Sequence, residues 1–152
     1  MTILVSRTDP ETAEALALLA ELSDALTAIT GASGQASFDV SGVRVPRACF
    51  AVARDATGGA VGCGALRPLD GDAGEIKRMY ARPGTRGVGA AVLAFLEREA
   101  AALGYARLWL STRCVNERAV VFYERHGYAR IAGYGRYAGS TVSVCFEKRI
   151  AA

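Results

Sequence analysis

A glycine-rich turn that opens a helix constrains the fold of this chain more than any other feature. Residues 83–89 read Pro-Gly-Thr-Arg-Gly-Val-Gly and follow a segment, residues 74–81, that is typical of a β-strand. The helix after the turn ends at Gly104, and its apolar positions are Val88, Val92, Phe95, Leu96 and Leu103. The first N–H groups of a helix have no partner within it, and glycine lets a ligand approach them closely. The order strand, turn, helix therefore predicts a site for an anion such as a phosphate.

The spacing within the turn excludes two classes of phosphate site. A P-loop carries Gly-Lys-Ser/Thr after its glycines, and this turn does not. A dinucleotide fold needs G-x-G-x-x-G and an acidic residue about 20 positions further on. Here Gly87-Val88-Gly89 is followed by Val92, and the strand near Trp109 has no carboxylate. What remains is Arg86-x-x-Gly89-x-Ala91, either as a phosphate site or as a tight turn that only begins a helix.

The remaining segments predict an α+β (mixed α/β) fold with a largely antiparallel sheet and one parallel pair of neighbouring strands. Asp9 and Pro10 mark the start of a first helix, and residues 31–47 suggest a loop with a short helix. Asn116 is a plausible cap for a last helix, which ends at Gly127. The expected strands are residues 2–6, 48–54, 60–67, 74–81, 107–111, 128–131 and 143–148. The first helix has an expected apolar face of Leu16, Leu19, Leu22, Leu26 and Ile29.

Length and composition predict one domain over residues 1–152. Hydrophobic residues make up 51% of the chain and charged residues 22%, which excludes disorder caused by low hydrophobicity. The longest apolar run, residues 90–96, is too short to cross a membrane, and the N-terminus lacks the pattern of a signal peptide. We therefore expect a cytoplasmic protein with no membrane partner.

Charge is divided unequally, with a net −4 in residues 1–72 and +7 in residues 73–152. A basic half is typical of proteins with polyanionic partners, and nucleotide phosphates fit it as well as nucleic acid does. Because no block of basic residues occurs, we expect no nucleic-acid partner, and a nucleic-acid-binding domain stays the weaker alternative. The spacing of the four cysteines (Cys49, Cys63, Cys114, Cys145) and of His126 does not match a zinc site, so no metal is expected.

Four segments together resemble the GNAT superfamily of acyl-CoA-dependent N-acyltransferases. The turn matches that family's pyrophosphate loop, Gln/Arg-x-x-Gly-x-Gly/Ala, at Arg86, Gly89 and Ala91. Glu75-Ile76-Lys77-Arg78-Met79-Tyr80 is similar to its fourth strand, and its second cofactor motif is similar to residues 116–119 and 122–128. The resemblance covers roughly residues 48–148. It implies a central, mostly antiparallel twisted sheet of about six to seven strands flanked by about four helices.

The resemblance also implies acetyl-CoA as co-substrate and direct transfer of its acetyl group to a primary amine of a small molecule, amino-acid-like compounds included, or of a peptide. A homodimer is common in the family. The implied cofactor-binding residues are the backbone of Met79, Tyr80 and Ala81 along the fourth strand, the loop residues Arg86, Gly87, Val88, Gly89, Ala90 and Ala91, and the side chains of Asn116 and Tyr123. An acyl-CoA-binding sensor or interaction module without useful turnover is the alternative function.

Two residues are candidates for catalysis under this resemblance. Tyr123 matches the family's general acid, and a phenol can protonate the departing sulfur at neutral pH. Glu75 stands where several members place their general base, but it could instead pair with an arginine. Tyr123 could also be only a core aromatic, and Asn116 only a helix cap. Strand alternation predicts Glu75, Lys77 and Met79 on one face of the fourth strand.

The acceptor amine is expected between two segments, residues 31–47 and 134–143. Candidate groups for a carboxylate on the acceptor are Arg44, Arg47, Arg78 and Arg136, and candidate packing residues are Phe38, Tyr134 and Tyr137. The sequence does not identify the acceptor further.

Overall fold

The computed structural model describes residues 2–150, which form a seven-stranded sheet in the order β1-β2-β3-β4-β5-β7-β6. The strands are β1 (Leu4–Arg7), β2 (Cys49–Arg54), β3 (Ala60–Pro68), β4 (Ala73–Ala81), β5 (Arg107–Arg113), β6 (Ala129–Ile131) and β7 (Ser143–Arg149). The α-helices are α1 (Ala13–Thr30), α2 (Val88–Ala102) and α3 (Glu117–Arg125). Short 3₁₀ helices span Gln35–Ser37, Val40–Val43 and Gly135–Tyr137.

Every pair of neighbouring strands is antiparallel except β4 and β5, which run parallel and are connected through α2. This confirms the predicted α+β fold and its single parallel pair. The three α-helices, with the short 3₁₀ helices in the loop after α1, correspond to the four helices expected.

The helices cover both faces of the sheet. On one face α2 and α3 pack against the sheet through Val92, Leu96 and Val120, and Phe146 of β7 lies in the same core. On the opposite face α1 packs Leu18 against residues of β2 and β3. Both faces of the central strands are therefore covered, and access to the middle of the sheet is limited to places where two strands separate.

The start of α1 differs from the prediction. Thr12, not Asp9, is the N-cap, and its hydroxyl accepts a hydrogen bond from the backbone N–H of Ala15. Asp9 instead accepts from the N–H of Glu11 and from Arg44. These bonds keep Asp9 in a turn before the helix, so the helix begins three residues later.

The expected apolar face of α1 is only partly correct. Leu19 and Leu22 are buried, whereas Leu16 is 49% exposed and Ile29 50% exposed. The buried stripe runs through Ala15 and Leu18 because the helix lies on the sheet along that side. None of the helices within residues 2–150 has an apolar stretch long enough to span a lipid bilayer.

Candidate active site

A β-bulge in the middle of β4 shapes the candidate site. Lys77 lies opposite Ala65 of β3 and Tyr80 lies opposite Cys63, so Arg78 and Met79 share one residue of the neighbouring strand, Gly64. Arg78 has a positive φ of 55°, which non-glycine residues rarely adopt. Such strain is concentrated at functional sites.

The bulge overturns the predicted alternation along β4. Met79 was expected on the face of Glu75 and Lys77, but it packs into the core beneath α2 together with Ile76. Arg78 was expected on the face of Ile76, yet it reaches α1 and donates to the carbonyl oxygen of Leu19. The extra residue of the bulge reverses the side to which each later residue points.

Near the bulge, β4 and β5 separate. Their pairing already ends three residues before Arg78: it consists of Ala73 with Arg107, Gly74 with Leu108 and Glu75 with Trp109, although β4 continues through the bulge to Ala81 and β5 to Arg113. The strands therefore enclose a cleft, and the edge of β4 after Glu75 has no strand partner among residues 2–150. The cleft has a volume of about 460 Å³ and is lined by side chains from α1, β4, β5, α3 and the segments 32–37 and 136–143.

The glycine-rich turn presents free backbone N–H groups at the start of α2. Gly87 is the N-cap, with φ 73°, and no side chain caps the helix. The first intrahelical bond runs from the N–H of Ala91 to the oxygen of Gly87, so the N–H groups of Val88, Gly89 and Ala90 have no partner in the helix. A Cβ atom at Gly89 would lie 3.3 Å from the ring of Phe122, tighter than normal packing allows. This turn fits a diphosphate, because it offers several N–H groups without side chains in front of them.

Tyr123 and Asn116 lie where the sequence predicted, on one side of α3 facing the cleft. Tyr123 is buried beside Phe122, Tyr128 and Phe146, and its hydroxyl has no hydrogen-bond partner within the described chain. Burial raises the pKa of Tyr123 above its usual range, so the phenol stays protonated at neutral pH.

The Oδ1 atom of Asn116 accepts from the N–H of Ala119 at 3.3 Å and caps α3. Its amide NH₂ is left to donate into the cleft, since one side chain can do both.

Glu75 is buried in a network of its own and is not among the residues that line the cleft. Its Oε1 accepts from Nε of Arg67 at 2.6 Å, directly across the β3–β4 pair, and its Oε2 accepts from the Tyr134 hydroxyl at 2.5 Å. Nζ of Lys77 lies 3.8 Å from Oε2. Burial and the adjacent Glu75 carboxylate raise the pKa of Tyr134, which keeps that hydroxyl protonated as a donor.

The candidate acceptor arginines separate into two groups. Arg44 pairs with Asp9 and Glu11, and Arg47 donates to the carbonyl oxygen of Leu103, so neither lines the cleft. Arg78 and Arg136 do line it, and Tyr137 lies beside them. Lys77 also lines the cleft, although no local pattern marks it as an acceptor residue, because its partner Tyr137 lies 60 positions further along the chain.

The cysteines offer no activated nucleophile in the cleft. Burial raises the pKa of Cys49 to about 11 and that of Cys63 to about 12, so both remain thiols at neutral pH. The exposed Cys114 is not among the lining residues. In residues 2–150 no three His, Cys, Asp or Glu side chains are grouped so that they could hold a metal ion.

Comparison with known proteins identifies the family. A family model described as the acetyltransferase (GNAT) family matches residues 17–128. An IAA acetyltransferase of Azospirillum brasilense is 31% identical over 149 residues, which cover 96% of this chain and 97% of that protein. A solved structure assigned as an acyl-CoA N-acyltransferase from Klebsiella pneumoniae is 28% identical with a TM-score of 0.81, covering 98% of both chains. An acetyltransferase from Streptococcus agalactiae shares the fold, with 20% identity, a TM-score of 0.80 and coverage of 97% of this chain and 98% of its own. The chain therefore belongs to the GNAT family of acetyltransferases, which use acetyl-CoA as the acetyl donor.

Proposed function

We propose that this protein is an N-acetyltransferase that moves the acetyl group of acetyl-CoA directly to a primary amine of a small molecule or peptide. The observation that carries the proposal is the separation of β4 and β5, which opens a cleft lined by Tyr123, whose hydroxyl makes no hydrogen bond within residues 2–150. A pure binding module has no need of a buried proton donor there.

Three sets of groups are suited to hold acetyl-CoA. The backbone N–H groups of Arg86, Gly87, Val88, Gly89 and Ala90 surround the start of α2, where the helix dipole favours the diphosphate, whereas the N–H of Ala91 is already bonded to the carbonyl oxygen of Gly87. The unpaired edge of β4 at Met79, Tyr80 and Ala81 offers N–H and C=O groups to the amides of the pantetheine arm, as a neighbouring strand would. Asn116 adds its amide NH₂ from the opposite wall.

The reaction needs one bond to form, one to break and two protons to move. The lone pair of the neutral amine forms the new N–C bond at the thioester carbonyl, and the C–S bond breaks as its electron pair passes to sulfur. Tyr123 donates its phenolic proton to that sulfur, and the amine gives up one proton to a base. Solvent then returns a proton to Tyr123, and the base releases its own.

We assign the base role to Glu75 acting through an intervening group. Glu75 does not line the cleft, so an amine proton cannot reach it in one step. The Tyr134 hydroxyl, bonded to Oε2 at 2.5 Å, is suited to pass its proton to Glu75 while it takes up another; Tyr134 does not line the cleft either, so this relay includes a water molecule between the amine and Tyr134. The ion pair with Arg67 supports the alternative, in which Glu75 only holds β3 to β4.

Replacing Tyr123 by phenylalanine tests the proposal. The variant removes one hydroxyl that makes no hydrogen bond within residues 2–150, so the fold and acetyl-CoA affinity should be retained. Turnover with a good amine should fall about 100-fold or more, since general acids contribute that much. Thiol release measures turnover and calorimetry measures affinity.

The matched control is Tyr128→Phe, which removes the neighbouring buried tyrosine hydroxyl that is bonded to Glu97 and does not line the cleft. Turnover in this control should stay near that of the unmodified protein. Equal turnover in Tyr123→Phe and the unmodified protein would remove the general-acid role.

A further inference from the structure

All the charged side chains that line the cleft within the described residues are positive. Four of its lining side chains are cationic, namely Lys77, Arg78, Arg113 and Arg136, and none of its lining residues within the described chain is Asp or Glu. Elsewhere on the protein arginines commonly pair with carboxylates, as Arg54 does with Glu14 and Arg82 with Glu21. The cleft therefore keeps positive charge that the protein does not neutralise at its walls.

Arg78 shows this most clearly. The residue is 9% exposed, and the hydrogen-bond partners of its guanidinium are neutral: the carbonyl oxygens of Ser33 and Leu19 at 3.0 and 3.2 Å and the Ser23 hydroxyl at 2.6 Å. Arg78 takes part in no ion pair within residues 2–150, and its Nε has no hydrogen-bond partner there. A buried cation without a counter-ion is costly, so its retention at a strained position indicates a use.

Lys77 is a second cation of the cleft, and a nearby carboxylate neutralises its charge only in part. Its side chain is 9% exposed, and Nζ contacts the Tyr137 hydroxyl at 2.9 Å. Among residues 2–150 the one carboxylate within 4.0 Å of Nζ is Glu75 at 3.8 Å, and it is already in closer contact with Arg67 at 2.6 Å. One negative charge thus faces two positive ones. Nζ has three N–H bonds, and these contacts do not use them all.

These cations lie apart from the turn proposed for the diphosphate. Arg86 and the residues that begin α2 are not among the lining residues of the cleft, whereas Arg136 and Tyr137 come from the opposite side, between β6 and β7. Arg136 is tied to the segment after α1 by a bond to the carbonyl oxygen of Ala36 at 2.9 Å. The positive wall is therefore on the acceptor side.

We infer that the acceptor is a small amine that also carries a carboxylate, held by Lys77 and Arg136 above the buried charge of Arg78. Apolar side chains of the same cleft, Leu26 and Val142 among them, suit an amino acid with an apolar side chain. The cationic side chains of the cleft repel acceptors that carry several positive charges, such as lysine-rich peptides and sugars with several amino groups. This inference rests on the proposed transferase function, and it predicts an N-acetylated amino acid as the product.

Matched amines that differ only at the carboxylate test the inference. Phenylalanine, phenylalaninamide and phenethylamine form one set, and leucine, leucinamide and 3-methylbutylamine form another, with a lysine-rich peptide as a polycationic member. We expect kcat/KM for each acid to exceed that for its amide and decarboxylated partner by about 10- to 100-fold, as charge-assisted hydrogen bonds imply. The amide is a stringent control, because its amino group is less basic than that of the acid. A larger fraction of the amide is therefore unprotonated at neutral pH and able to attack the thioester.

Variants assign the effect to the cleft. Arg136→Gln, on the exposed rim, should raise KM for the acids about tenfold, so the ratio of kcat/KM between each acid and its neutral partners should fall. Lys77→Met should lower the same ratio, and calorimetry should find the affinity for acetyl-CoA unchanged in both variants. Arg130→Gln is the matched control, since Arg130 is exposed, pairs with Glu124 and lies outside the cleft.

The outcomes separate the two proposals. Equal or better rates with the neutral amines or the peptide overturn the acceptor inference and leave the transferase intact. Acetyl-CoA binding without acetylation of any panel member also overturns it. If calorimetry detects no acetyl-CoA binding by the folded protein, the proposed function itself fails.

Discussion

The candidate site has two halves, and they are built from different kinds of groups. The half proposed for acetyl-CoA offers backbone groups, namely the start of α2 and the free edge of β4. The acceptor half offers side chains, such as Lys77 of β4 and Arg136 of the short 3₁₀ helix between β6 and β7. Backbone recognition depends on glycine and strand geometry, whereas side-chain recognition depends on residues that can change without altering the fold. A common donor and variable acceptors are expected from such a division.

Gly89→Glu should give the largest effect, because it places both bulk and negative charge in the backbone half. Its Cβ would lie 3.3 Å from Phe122, and its carboxylate would face the diphosphate. Like charges in contact oppose binding by several kcal/mol, so acetyl-CoA affinity measured by calorimetry should fall more than about 100-fold.

Gly42→Glu is the control for that variant, since the nearest atom to its Cβ is Cδ of Arg67 at 4.0 Å. Normal acetyl-CoA affinity in folded Gly89→Glu would show that the start of α2 does not hold the diphosphate.

Glu75→Gln examines the carboxylate that lies beside the acceptor half. As a base acting through Tyr134, Glu75 should contribute about 100-fold to turnover. Steady-state rates with a good amine acceptor measure this loss.

Glu97→Gln is a close match for that experiment. Glu97 is likewise bonded to a buried tyrosine, Tyr128, and to a cation, Lys148, but it lies outside the cleft. If Glu75→Gln and Glu97→Gln have the same small effect on turnover, Glu75 only holds strands together.

Arg78→Met tests whether the acceptor half keeps its buried charge for binding rather than for stability. Two of the oxygen atoms that accept hydrogen bonds from Arg78 keep other partners in this variant. The Ser23 hydroxyl still accepts from the side chain of Gln35, and the carbonyl of Leu19 lies inside α1, where it takes part in the helix. We therefore expect the free energy of unfolding to change by less than about 1 kcal/mol. Preference for acids over neutral amines should nevertheless fall about tenfold. A large loss of stability with unchanged preference would assign Arg78 a purely structural role.

The backbone half could be predicted from the sequence and the acceptor half largely could not. The turn at Gly87 and Gly89 and the cap at Asn116 are local patterns, and the structure has the helix starts at these positions. The bulge at Arg78 has no glycine or proline of its own to mark it; the glycine it needs, Gly64, is on the neighbouring strand. Contacts such as Lys77 with Tyr137 join residues about 60 positions apart. Only the folded chain brings such pairs together.

The smallest effect is expected from Glu21→Gln, which removes an ion pair that anchors the end of β4 to α1. Arg82 contacts Glu21 at 2.8 Å, and Tyr80 donates to the same carboxylate at 3.0 Å. The hydrogen bonds from Arg82 lower the pKa of Glu21, so its contribution to stability is complete above the usual range for glutamate and is lost as pH falls through the lowered value. Thermal melts at several pH values measure this contribution. In Glu21→Gln the loss of stability at low pH should be smaller than in the unmodified protein, because only the other carboxylates still contribute to it.

Acetyl-CoA affinity in the same variant should change by less than about twofold, because exposed ion pairs contribute little. The backbone N–H of Arg82 still donates to the carbonyl oxygen of Val61 at 2.8 Å. The Thr85 hydroxyl still donates to the carbonyl oxygen of Arg82 at 2.6 Å. These bonds hold the turn without the Glu21 side chain. A tenfold loss of acetyl-CoA affinity would mean that the backbone half depends on side chains such as Glu21 to hold its groups in place. The contrast between the two halves would then disappear.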